Sequence, residues 1–360
     1  MVADVTVVGT GIIALSIALE LADRAVRVRL LGTTHSGNAS AAAGGMLAPS
    51  IDSETGPAHD FAIASRDYYP GYAAALSTRT SRQIPMNDSG TIELAFDESE
   101  TARISYSNDR SARWLSPGEV AAHEPSVASC RGGLLHPADG AVEPLALLDA
   151  LSIAIAAHEG ITTAREDCRQ LHASELGCNV LTDMESRFAS DYVVLAAGAW
   201  TPLIAGAGAC VAAVEPVRGQ MLAFESDAVH HVICGAGGYL IPRSGGIIVA
   251  GGTMEHAGFE AKTTPDGIES IRARAAALCP ALARAPIHSS WAGLRPMTPD
   301  LQPIIGADPE RPRVIYACGH SRNGILLAPL TGQVVADLVT GATPRYDLSR
   351  FLPGRHYELS

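Results

Sequence analysis

Asp4-Val5-Thr6-Val7-Val8-Gly9-Thr10-Gly11-Ile12-Ile13-Ala14 is the stretch that decides the fold. Val5–Val8 is an apolar run of strand length, and it ends on Gly-x-Gly-x-x-Ala. In a strand-to-helix turn of this kind Gly9 permits the tight turn and Gly11 lets a pyrophosphate approach the backbone. Ala14 is small enough for the helix to pack on the strand. The free N–H groups and the dipole of the helix N-terminus favour the negative charge. From Ile12 to Ala22 the chain is apolar nearly all round, as in a helix buried against a sheet. Val26-Arg27-Val28-Arg29-Leu30-Leu31 then alternates as a second strand. The three pieces form a βαβ unit with a dinucleotide-binding turn. One residue departs from the pattern. An acid near the end of the second strand would bind the adenosine ribose. Counting about 20 residues on reaches Gly32-Thr33-Thr34, so threonine hydroxyls or water must stand in.

Outward from this unit, Ser40 to Pro49 is a run of small residues that lets backbone approach a flat ligand. Residues 52–85 read as helical, 90–96 as a strand, 145–157 as a helix and 191–197 as a buried strand. From Val217 the pattern turns antiparallel. Residues 220–224 form a strand, and 239–243 and 247–250 form a hairpin around Ser244-Gly245-Gly246. A helical stretch over 265–283 follows, then strand 314–317 and helix 332–339. The expected class is α/β: a Rossmann-type nucleotide domain with an interleaved, mainly antiparallel substrate domain. Residues 1–85, 140–215 and 295–360 belong to the first, and 86–139 and 216–294 to the second. Two Gly-rich motifs near the C-terminus each carry an arginine in what reads as a turn. They are Trp291-Ala292-Gly293-Leu294-Arg295-Pro296 and Gly319-His320-Ser321-Arg322-Asn323-Gly324-Ile325-Leu326-Leu327-Ala328-Pro329.

Composition excludes several classes. Lys+Arg 26 against Asp+Glu 38 gives a net charge of −12 over 360 residues, which argues against a nucleic-acid backbone binder. Lys262 is the only lysine, so a Schiff-base mechanism has a single candidate. Seven cysteines without a Cys-x-x-Cys pair fit a reducing, cytoplasmic setting. The histidines show no metal spacing, and adjacent His230-His231 do not share a helix face. Residues 192–214 are uncharged and long enough to span a bilayer, but Gly198, Pro202, Gly206 and Gly208 break them. A buried strand, a turn and a short helix explain them better.

Together with Ser40–Pro49, the turn Ala196-Ala197-Gly198-Ala199-Trp200, the stretch Pro216 to Met221 and Pro137 to Pro144, the two arginine motifs resemble glycine oxidases. These are FAD-dependent amine oxidases of the D-amino-acid-oxidase superfamily, and the likeness runs over essentially the whole chain. It implies a noncovalent FAD. Gly9, Gly11, Ile12, Ile13, Gly32, Thr33, Asn38, Ala39, Ser40, Ala43, Gly44, Gly45, Met46, Ala197, Gly198 and Trp200 would hold it. Cys168 would add a backbone contact, and His320, Ser321, Arg322, Asn323, Gly324, Ile325 and Leu326 would complete the site. It also implies that Arg295 holds a substrate carboxylate, that Arg322 flanks the same pocket, that Tyr239 adds a hydroxyl and that Met254 lies beside the reacting carbon. Related sarcosine oxidases carry a flavin-linking Cys near the position of Pro296-Met297, and none stands here. The same relatives use a Lys for oxygen activation, whereas Lys262 reads as solvated. Homo-oligomers and a supply of glycine imine to thiamine synthesis are further implications of the resemblance.

The residues agree with that chemistry. A zwitterion in a dry pocket needs its carboxylate paired, and Arg does this bidentately. A nicotinamide enzyme would need no such C-terminal arm. Each assignment has a plain alternative. Arg295 is either the anchor or a partner of Asp300. Arg322 either faces substrate or pairs with a carboxylate of the FAD domain. Tyr239 and Met254 are either pocket wall or packing, and Cys318 reads as a buried inert thiol. The expected activity is oxidation of glycine or a small amino acid at Cα, with O2 reduced to H2O2. An oxidase or dehydrogenase of an N-substituted glycine, a D-amino acid or a biosynthetic amine is the alternative, followed by a non-catalytic flavin subunit. No metal, nucleic acid or membrane is expected as a partner.

Overall fold

The computed structural model describes residues 3–51, 55–105, 107 and 109–355. Among the described residues the largest parallel element is a six-stranded sheet. Its strand order is Ile304–Ala307, Val314–Cys318, Tyr192–Leu195, Val5–Val8, Val28–Leu31, Ile161–Ala164. Every pairing is parallel except the first, which is antiparallel. The four central strands are apolar and almost wholly buried, as expected of a sheet covered on both faces. Helix Ile12–Asp23 packs on it with ten of its twelve residues buried. The C-terminal helix Gly324–Thr340 lies alongside, and Gly332 allows the approach, since a Cβ there would sit 3.0 Å from the Ser16 carbonyl oxygen. Helices Pro57–Thr80 and Pro144–Ala156 close the same core.

A second, eight-stranded sheet is antiparallel throughout except where Val232–Gly235 runs parallel to Thr91–Ala95. It draws on two stretches of chain, Thr91–His136 and Glu215–Met297. Helix Pro265–Leu278 covers one face and builds a separate apolar cluster. Two three-stranded sheets complete the fold: Cys168–Ser174, Gly177–Thr182 and Arg187–Ser190, and Met46–Leu47 with Gly140–Val142 and Met86–Asn87. The mixed α/β architecture with a Rossmann-like parallel sheet is the one expected. The long strand Ile287–Met297 runs straight across the expected domain boundary at 294/295.

Several boundaries differ from expectation for physical reasons. The helix expected over 52–85 is Pro57–Thr80, and residues 52–54 lie outside the described residues, as do 1–2 and 356–360 of the expected domain. Strand 220–224 extends to Glu215–Glu225 because it pairs along its whole length with Ile287–Met297. Arg295 therefore sits on a strand and not in a turn. The C-terminal helix begins at Gly324, eight residues before its expected start. The uncharged stretch 192–214 resolves into strand Tyr192–Leu195 and two 3-10 segments, Gly198–Leu203 and Ala209–Val211. No helix of the described residues is long and apolar enough to cross a membrane.

Candidate functional site

The two large sheets meet at a cavity of about 710 Å³. One end is built by the phosphate turn. Gly9, at φ +132°, lies so close to Ala196 that a Cβ would overlap the Ala196 carbonyl oxygen. That close approach puts the N-terminus of helix Ile12–Asp23 on the wall. The Ile12 N–H donates to Ser40 Oγ at 3.0 Å, and Asn38 Oδ1 accepts from the Ser40 N–H at 2.9 Å, so the small-residue run is tied to the turn. Helix Gly324–Thr340 also opens onto the cavity. Neither helix has an acidic residue in its first turn. Two positive helix ends therefore face one volume, which suits a ligand with spread negative charge. These features fit a flavin dinucleotide: a glycine cradle that a side chain would fill, anion-favouring helix termini, and cavity walls built from the backbone-rich segments Ala43–Met46 and His320–Leu326.

Every dinucleotide residue read from the sequence lines this cavity: Gly9, Gly11, Ile12, Ile13, Gly32, Thr33, Asn38, Ala39, Ser40, Ala43, Gly44, Gly45, Met46, Cys168, Ala197, Gly198, Trp200 and His320 to Leu326. Burial pushes the Cys168 and Cys318 thiols up to about 12, so neither is a thiolate at neutral pH. His320 is held neutral, its pKa pushed down to about 3 by burial.

At the other end Arg295 rises from strand Ile287–Met297 and lies across Gly219 of the neighbouring strand. A Cβ on Gly219 would overlap the guanidinium. Arg295 Nη1 donates to the Thr253 carbonyl oxygen at 2.9 Å. Thr253 is itself fixed, because the Gln220 N–H donates to Thr253 Oγ1 at 2.9 Å. The Gln220 side chain and Arg218 are both held by Glu255, at 2.7 Å and 3.0 Å. Asp300 is taken by Arg355, whose Nε donates to it at 2.8 Å, which removes the alternative partner considered for Arg295. Among the described residues no carboxylate pairs with Arg295. The Tyr239 hydroxyl is buried beside the guanidinium and 3.5 Å from Met221 Sδ, and burial raises its pKa against the pull of Arg295. Arg322 also lines the cavity, on the exposed turn before the C-terminal helix.

Met254 is the exception. It does not line the cavity and is 58% exposed, because the chain leaves the sheet after Gly251 and turns its side chain to solvent. Lys262 is likewise on the surface, beside Glu260 at 3.6 Å. His230 and His231 serve a carboxylate. Their backbone N–H groups and the His231 ring grip the buried Glu124 carboxylate. Among the described residues no cluster is arranged to bind a metal ion.

Four features escaped the sequence. Gly219 and Met221 were part of a recognised stretch without a role. Arg243 is half-buried, and its guanidinium donates to the Gly44 and Val142 carbonyl oxygens, pinning the Ala43–Met46 strap. Burial lowers its pKa to about 10. Asp167 is the only acidic side chain on the cavity wall among the described residues, against Arg169, Arg295 and Arg322. The wall is thus net positive in a protein of net charge −12, the arrangement that draws an anionic substrate inward. No local motif marks these residues, since each acts on a segment distant in sequence.

Residues 4–338 match the family model described as FAD dependent oxidoreductase (DAO). The chain is 34% identical to the glycine oxidase of Geobacillus kaustophilus (strain HTA426), over 98% of this chain and 97% of that protein. It is 36% identical to the bifunctional protein ThiO/ThiG of Synechocystis sp., over 93% of this chain and 51% of that protein. The crystal structure of the Geobacillus kaustophilus glycine oxidase superposes with a TM-score of 0.91, covering 99% of each chain at 34% identity.

Proposed function

The chain belongs to the DAO family of FAD-dependent oxidoreductases and is an FAD-dependent amino-acid oxidase, and we propose that glycine or an amino acid of similar size is its substrate. The observation that supports this reading is the continuity of one cavity wall from the phosphate turn at Gly9 to the Arg295 guanidinium. Held by the Gly9–Ala14 turn and the Ala43–Met46 strap, FAD would supply the hydride-accepting and O2-reducing chemistry, so that the substrate would leave as an imine that hydrolyses to oxo acid and ammonia, with H2O2 as the reduced oxygen product.

The chain's own residues bind and orient. Arg295 takes the carboxylate through its fork, which the tether to Thr253 aims. Tyr239 adds its hydroxyl beside it, and Arg322 supplies positive charge at the rim. Met221, Ile241 and Cys234 form an apolar stretch of the cavity wall. The sole acid of the wall, Asp167, bonds to Thr33 at the nucleotide end. Among the described residues no wall carboxylate stands at the Arg295 end to pair with an ammonium, so the amine binds neutral and no general base is needed. The cofactor side is drawn from residues 1–85, 140–215 and 295–360 and the substrate side from 86–139 and 216–294, with Arg295 reaching the substrate from strand Ile287–Met297, which spans the 294/295 boundary. Among the described residues the seven cysteines form no disulfide, and a reducing, cytoplasmic setting belongs to the same proposal. A homo-oligomer belongs to the same reading, and light scattering tests it.

The decisive experiment is anaerobic addition of glycine, sarcosine, D-alanine and D-proline to the yellow protein, with the flavin absorbance followed. Bleaching by glycine, reversed by air with H2O2 formed, is the expected result. A flavin that stays oxidised with all four overturns the proposed substrate class.

A further inference from the structure

The second strand of the βαβ unit ends on Gly32-Thr33, without the acid that such units present to the adenosine ribose. The structure brings a carboxylate to that place from elsewhere. Asp167 accepts from the Thr33 backbone N–H at 3.0 Å and from the Thr33 hydroxyl, whose oxygen lies 2.8 Å from both carboxylate oxygens. His35 Nε2 stands 3.4 Å from the same carboxylate, and its ring is stacked on Trp200 at 4.7 Å between centroids. Asp167 belongs to the segment joining strands Ile161–Ala164 and Cys168–Ser174 and not to the second strand of the βαβ unit. Its backbone N–H donates to Asp183 Oδ1 at 2.9 Å, and its carbonyl accepts from the Asp183 N–H at 2.9 Å. Asp183 follows strand Gly177–Thr182, so the three-stranded sheet holds the acid in position.

We infer that Asp167 is the ribose-binding acid of this protein, supplied in trans to the strand that normally carries it and oriented by Thr33. The inference rests on FAD occupying the cavity. An ionised carboxylate offers about four acceptor directions. The Thr33 N–H and the single Thr33 hydroxyl proton take two of them. His35 Nε2 at 3.4 Å can take a third, and the side chain is 34% exposed and lines the cavity beside Gly32 and Thr33, so the carboxylate borders the volume that the dinucleotide would fill with acceptor capacity left over. Its charge also makes the nucleotide end chemically unlike the arginine end, which favours one direction of dinucleotide entry. This explains how a cradle without its strand-end acid keeps a ribose contact.

The test measures cofactor affinity of the apoprotein by flavin fluorescence quenching, with no turnover involved. The probes are FAD and its analogue lacking the 2′-hydroxyl of the adenosine ribose. The wild-type protein is expected to bind FAD about 10- to 100-fold more tightly than the analogue, as for a hydrogen bond to a charged group. Asp167→Asn is expected to weaken FAD by a similar factor and leave the analogue nearly unchanged, so that the discrimination vanishes. Thr33→Val, which keeps the side-chain shape but frees the carboxylate, should give a smaller loss in the same direction. Circular dichroism and the melting temperature confirm that the variants are folded. Equal affinity for both probes in the wild-type protein, or undiminished discrimination in folded Asp167→Asn, overturns the inference while leaving the FAD reading intact. Failure of the wild-type apoprotein to bind FAD at all overturns both.

Discussion

Arg295 owes its position to a missing side chain. Its guanidinium crosses Gly219, and the backbone of Gly219 is in an ordinary extended conformation that alanine accepts. Gly219→Ala should therefore fold and hold FAD, while its new methyl group pushes the anchor aside. A misplacement of about 1 Å can cost on the order of 100-fold, so kcat/KM for glycine is expected to fall about 10- to 100-fold with FAD stoichiometry unchanged. An unaltered kcat/KM would show that the guanidinium position is immaterial. Removing the anchor is harsher. Arg295→Ala leaves a substrate carboxylate unpaired in a dry pocket, at a cost of about 2–5 kcal/mol, or roughly 30- to several-thousand-fold in kcat/KM. Arg295→Lys restores charge but not the planar fork and should recover only part of the loss. Steady-state kinetics of the two variants side by side decides the matter: a lysine variant equal to wild type would exclude bidentate recognition.

At the scale of elements, the C-terminal helix shows how distant residues complete what local sequence leaves open. Pro329 lies inside Gly324–Thr340 and has no N–H, so the Ile325 carbonyl lacks its helical donor. The buried Tyr69 hydroxyl donates to that carbonyl at 2.9 Å, and Ser65 Oγ donates to the next one, Leu326, at 2.6 Å. Both donors come from helix Pro57–Thr80. Tyr69→Phe leaves a buried carbonyl unsatisfied and is expected to destabilise the protein by about 1–3 kcal/mol. Because the affected turn lines the cavity, FAD affinity should weaken as well. Denaturant unfolding together with an FAD titration checks both, and wild-type stability in the variant would mean that the proline break needs no external donor. This compensation also explains an error of reading. The helix starts at Gly324 and not at the expected 332, with Pro329 inside it, and nothing near the proline announces Tyr69. Arg295 was misplaced in a turn for a similar reason: Gly293 and Pro296 disguise a strand whose register is set by pairing with Glu215–Glu225. The βαβ unit, by contrast, was legible because strand, turn and helix are contiguous and each carries its own local signal. Cavity-wall residues on such contiguous motifs were found. Those acting across the fold, Asp167 on Thr33 and Arg243 on Gly44, were not, since neither pairing leaves a periodic trace.

For the molecule as a whole, the parallel sheet, the long antiparallel sheet and the C-terminal arm converge on one volume, and burying groups there has a global consequence. His320 is enclosed with Thr331 Oγ1 3.2 Å from its Nε2, and burial pushes its pKa down to about 3. An unfolded histidine titrates near 6.5. Between those values the unfolded chain binds a proton that the folded chain refuses, so stability rises with pH through this window. The full contribution is present above about pH 6.5 and is lost progressively toward pH 3. At pH 5 the loss amounts to about 2 kcal/mol, from 1.36 kcal/mol per pH unit. The carboxylates held below their usual range, among them Glu124 beside His231 and Asp308 beside Arg311, act only at lower pH. His320→Gln keeps a polar group in the site and does not titrate. Denaturant unfolding of wild type and variant at pH 7 and pH 5 isolates the histidine from every other group. The wild-type protein is expected to lose about 2 kcal/mol more than His320→Gln on acidification. Equal losses would show that protonation of the His320 ring is tolerated in the folded state, and with it that water reaches the floor of the cavity.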